Sequence, residues 1–159
     1  MTRAGRAAAA AVVAAVLVAL GTSCDSAAEK AQEAKAKADF SKAADLTTCA
    51  KDAKPAATPY PSGFPTDWPF PHHSVVFSAQ DRGADGIVVS AITTAPFKDV
   101  LATMNGPVVK AGYKVVKGET EAHDAEAEWS GNGFHGRWAI RESASCTGET
   151  MVQVLSTHS

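Results

Sequence analysis

Long apolar runs are scarce in this 159-residue chain, and the longest, from Ala7 to Leu20, falls short of the roughly 20 residues that cross a bilayer as a helix. A transmembrane helix is therefore not expected. Clustered cations are also missing. The 15 Lys and Arg against 17 Asp and Glu leave a net charge of −2, and the lysines between residues 30 and 54 are interleaved with acids. A nucleic-acid surface needs grouped cations to displace counterions from phosphates, and a polybasic membrane patch needs the same grouping; neither is expected. The chain has three cysteines and no Cys-x-x-Cys spacing. It has no Gly-x-Ser-x-Gly, phosphate loop or dinucleotide fingerprint, so neither a catalytic residue nor a cofactor is assigned.

What is present begins at the N-terminus. Arg3 and Arg6 precede the apolar run, and Gly21-Thr22-Ser23-Cys24 closes it. A charged start, an apolar core and small residues before a cut are the layout of a bacterial secretory signal peptide. The cysteine just past the cut resembles the lipobox of bacterial lipoproteins. That resemblance implies cleavage after Ser23, a palmitate-type lipid on Cys24, and attachment to the extracytoplasmic face of a cell membrane. With Cys24 assigned to lipid, Cys49 and Cys146 remain in an oxidising compartment, where thiols pair. A Cys49–Cys146 disulfide is expected, with two buried free thiols as the alternative.

Residues 1–23 are thus read as signal peptide, 24–60 as a lipid-anchored tether and 61–159 as a small domain. Residues 25–53 hold neither Gly nor Pro and are rich in Ala, Lys and Glu, strong helix formers. Phe40 and Leu46 are the only sizeable apolar side chains there, so a helical spacer that docks only near its end is expected. Prolines 55, 59, 61, 65, 69 and 71 then fix extended torsions. Tyr60, Phe64, Trp68 and Phe70 are interleaved with them, which a free linker seldom shows. Phe64 and Trp68 are expected to pack on the domain.

Within the domain, residues 74–78 and 87–93 read as strands. Phe97, Val100, Leu101, Met104 and Val108 then recur at helical spacing. Thr94 is placed to cap this helix, Gly106-Pro107 to interrupt it and Gly112 to end it. Strands are expected at 113–117, 126–130, 134–141 and 151–156, with Cys146 in a turn over 143–149. A type I′ turn at Asn132-Gly133 sets Trp129 across from Gly136, Ala127 from Trp138 and Glu128 from Arg137. The order β-β-α-β-β-β-β makes an α+β fold, an antiparallel sheet covered on one face by one helix. The other face is left to water or a partner.

The histidines at 72, 73, 123, 135 and 158 show neither His-x-His nor His-x-x-x-His spacing, so no metal site is assigned. Ser74, His73 and Asp67, or the carboxylates Asp124, Glu126 and Glu128, could be arranged into a catalytic site, but nothing in their spacing favours one. Trp68, Phe70, Tyr113 and Trp138 are the candidate binding surface. The segment Phe64-Pro65…Trp68-Pro69, the following strand and the helix PFKDVLATMNGPVVKAGYKV resemble a recurring small lipoprotein domain of high-GC Gram-positive bacteria. The resemblance implies fold and location and carries no functional residues. The expected role is a non-enzymatic binding or structural module of the cell envelope, meeting an envelope protein or small ligand. The rival is a small-molecule or metal carrier with its ligand between helix and sheet.

Overall fold

The computed structural model describes residues 48–159. The expected signal peptide, Cys24 and the expected tether as far as residue 47, with Phe40 and Leu46, lie outside the described residues. Six strands follow the prolines: β1 (Val75–Asp81), β2 (Ile87–Thr93), β3 (Lys114–Thr120), β4 (Asp124–Gly131), β5 (Phe134–Glu142) and β6 (Thr150–His158). They form one antiparallel sheet in the order β1-β2-β6-β5-β4-β3. Between β2 and β3 runs the helix, broken into α1 (Phe97–Asn105) and α2 (Pro107–Lys110). The fold is the expected α+β arrangement. No helix among the described residues is long and apolar enough to cross a membrane.

The break falls at Gly106-Pro107 because Pro107 has no N–H to continue the ladder while its fixed torsion suits the start of a new helix. Gly112, at φ 96°, ends α2. Its N–H donates to the Val109 carbonyl and the Tyr113 N–H to that of Val108, a Schellman arrangement that glycine permits. The N-terminal cap differs from expectation. Pro96, not Thr94, occupies that position, and no side chain caps it. Thr93 instead uses its hydroxyl to accept from the Ala95 N–H and donate to the His72 carbonyl.

Alternation along the strands sends one set of side chains toward the helix. Val89, Ala91, Val152, Val154, Trp138 and Ile140 meet Phe97, Val100, Met104 and Val108 there. Ala125, Ala127 and Trp129 extend this layer along β4, and Phe64 and Trp68 close it as expected. Each large ring buried this way contributes on the order of 2–3 kcal/mol. The β4–β5 register agrees residue for residue with the size and charge pairing: Trp129 faces Gly136, Ala127 faces Trp138 and Glu128 faces Arg137. Asn132 and Gly133 both have positive φ, 53° and 81°, the signature of the type I′ turn.

The opposite face is of two kinds. Across β4 and β5 it carries Asp124 with Arg141 and Glu128 with Arg137. Across β2 and β6, where the expectation left the face to water or a partner, Val88, Ile92, Met151 and Gln153 are buried. The Cys49–Cys146 disulfide is present and spans a separation of 97 residues. It joins the segment leading into the prolines to the turn before β6, and the Ala50 N–H donates to the Glu149 carboxylate at 2.7 Å across the same junction.

Candidate functional site

The four rings named as a binding surface separate into two groups. Trp68, Tyr113 and Trp138 are 2%, 0% and 2% exposed and belong to the core. Their burial leaves them no exposed face to serve as the candidate binding surface; for Trp68 the packing is the one expected, and Trp138 has its place opposite the small Ala127. Trp68 lies 5.0 Å from Tyr113 and 4.6 Å from Trp129 between ring centroids, and Tyr113 meets Trp129 edge-on at 5.3 Å. The Tyr113 hydroxyl donates to the Asp67 carboxylate. Burial, followed by that bond, pushes its pKa up to about 12. These rings are part of the core cluster that also holds Phe97, Val100, Met104 and Val108 of the helix.

Phe70 is the exception. It is half-buried, edge-on to Tyr60 at 6.0 Å and stacked on buried Phe64 at 6.3 Å. With Tyr60, Val75 and Val76 it lines an open groove of about 430 Å³ beside edge strand β1. Pro55, Pro59 and Pro71 add rigid apolar rings to that lining. The Ala56 N–H donates to the Val76 carbonyl at 2.8 Å, which holds the proline segment along β1. Burial raises the pKa of the Tyr60 hydroxyl.

The polar lining is His72, His73 and Ser74. They form a turn closed by the Ser74 N–H donating to the Pro71 carbonyl at 3.2 Å, with the His72 carbonyl held by Thr93 at 2.8 Å. His73 sits at φ 61°, the third position of a turn, where such a torsion ordinarily calls for glycine. A side chain held there costs about 1 kcal/mol. The Ser74 Oγ is buried and has no hydrogen-bond partner among the described residues. Strain and an unmet polar atom thus coincide at the rim of an apolar groove.

The other candidates are dispersed. Asp67 is engaged by Tyr113, so the trio Ser74, His73 and Asp67 is not brought into a hydrogen-bonded relay among the described residues. Glu126 and Glu128 line a shallow cleft of about 50 Å³ with Lys117 and Arg137 on the charged half of the sheet. His123 pairs with Glu142 at 2.6 Å and His135 bonds Ser159 at 3.3 Å. Cys49, Cys146 and Glu149 lie close enough to share a metal ion, but the disulfide leaves neither thiolate available as a ligand. Of the groove's lining, only Phe70 is among the binding residues named from the sequence. Its signal there is aromatics among prolines, for which packing on the domain is the favoured reading. No family model, curated protein or solved structure matches the chain.

Proposed function

We propose that the protein is a lipid-anchored, non-enzymatic binding module of the cell envelope, held to the extracytoplasmic face of a membrane through Cys24. The groove beside β1 is its binding surface. One observation carries this reading: the Pro/aromatic segment is only half absorbed by the core, and its outer rings build an open apolar groove with a strained polar rim. Apolar lining with a few fixed polar groups is the usual make-up of a ligand site. The rival carrier reading, with ligand between helix and sheet, meets a core cluster that holds Trp68, Tyr113, Trp129 and Trp138. The anchor is tested by fractionation. Wild-type protein should sediment with membranes, and Cys24→Ala should be released or left unprocessed, since stable attachment needs more than one acyl chain's burial. A Cys24→Ala protein that stays wholly in the membrane fraction would defeat the lipid-anchor half of the proposal.

A further inference from the structure

We infer that the β1 groove takes a small amphiphile: an apolar body lying against Tyr60, Phe70 and Val76, and an anionic head group at the His72–His73 turn. This rests on the binding-module reading and gives it a ligand class. The size of the groove, about 430 Å³, suits a ligand of small-molecule dimensions. Its body must be uncharged, because no Lys, Arg, Asp or Glu lines the groove and an ion placed against those rings would lose its hydration without a partner. The head group is set by the rim. Two exposed histidines belong to the lining there, and the lining offers no carboxylate to an ammonium group. Imidazole N–H groups donate to an oxyanion, and such charge-assisted bonds are the stronger kind.

The backbone supports the same assignment. Glycine at position 73 would relieve the positive φ, yet the chain places an imidazole there, on a turn already pinned by Thr93 and by the Pro71–Ser74 bond. Residues kept in costly torsions cluster at ligand clamps. The buried Ser74 Oγ, one residue on, has no hydrogen-bond partner among the described residues, so the polar atoms behind the turn are not fully met within the fold.

The test uses the full mature chain carrying Cys24→Ser, which removes acylation and the need for detergent. Amide shifts of Ser74, Val75 and Val76 are followed while titrating octanoate, octyltrimethylammonium or octyl glucoside, each below its micellar concentration. Octanoate should give saturable shifts and bind about tenfold more tightly than the ammonium analogue. Combining His72→Ala with His73→Gly should weaken octanoate about tenfold and leave octyl glucoside unchanged. If the ammonium or the glucoside binds equally well or better, the anionic class is wrong while the binding-module reading stands. If none of the three probes shifts these amides, both fall. The comparison of head groups on the unsubstituted turn decides the class even where the paired variant loses structure.

Discussion

Removing the Cys49–Cys146 cross-link should cost this small domain much of its stability. The bond closes a loop of 97 residues, and for a loop of that length the chain-entropy relation gives about 4.7 kcal/mol at 25 °C. With an unfolding entropy scaled to a domain of this size, that loss lowers Tm by roughly 20 °C. The native contacts at the junction do not depend on the sulfur bridge alone, because Ala50 also donates to Glu149. The reduced protein should therefore keep its fold at 25 °C and lose stability through a looser unfolded chain. Two urea titrations check this, one on a Cys49→Ala/Cys146→Ala variant and one on wild-type protein under reductant. Both should lose about 4–5 kcal/mol and show a larger m value, since the unfolded chain exposes more surface. The two should agree within about 1 kcal/mol, the scale of the packing difference between a thiol and a methyl group. A loss below about 1 kcal/mol, or an unchanged m value, would refute the loop-entropy account.

Gly136→Ala should be severe, because a Cβ there would lie 1.9 Å from the Leu155 carbonyl oxygen on β6, and neither backbone can move without breaking the ladder. A loss of at least about 3 kcal/mol in urea denaturation is expected, and a change under about 1 kcal/mol would contradict the β5–β6 register. His73→Gly should stabilise by about 1 kcal/mol through relief of the positive φ, read as a higher urea midpoint; a destabilised variant would place the imidazole in the fold's own stability. Tyr113 gives a pH signature. Its pKa is raised from 10.0 to about 12 in the folded state, so its contribution is intact below pH 10 and declines as pH rises to about 12, where the unfolded chain ionises first. Urea midpoints of wild type should fall more steeply across that window than those of Tyr113→Phe, and parallel curves would remove Tyr113 as the cause.

The parts of the fold that could be read in advance are those where one residue type has one use. Asn132-Gly133 between alternating strands admits a single tight turn, and Trp129 and Trp138 each require a small residue opposite, so the β4–β5 register follows from side-chain size. The helix break at Gly106-Pro107 and the C-terminal Gly112 rest on backbone chemistry that no packing overrides. The rest was hidden where a residue has two uses. Tyr60, Phe64, Trp68 and Phe70 are chemically alike, and prolines abolish the periodicity that would separate inward from outward rings. Phe64 and Trp68 went to the core, whereas Tyr60 and Phe70 remained at the groove. The bulges between Val76 and Ser78 and between Val115 and Lys117 carry no glycine to mark them. The buried Val88, Ile92 and Met151 were missed because alternation says which side chains share a face and not what covers it.

The disulfide and the groove share one end of the sheet. Val75, Ile92, Met151, Arg141 and Asp124 form one row across five strands. The groove opens beside Val75, and the cross-linked turn leads into Met151. A pull transmitted to Cys49 from the N-terminal side would act first on the disulfide. The disulfide passes it to Cys146, between the long paired strands β5 and β6, and not along residues 50–74 to the edge strand β1. Without the cross-link, that pull would run through the proline segment, whose Ala56–Val76 bond helps form the groove. The bond that stabilises the fold would therefore also shield the groove from a pull on the preceding chain.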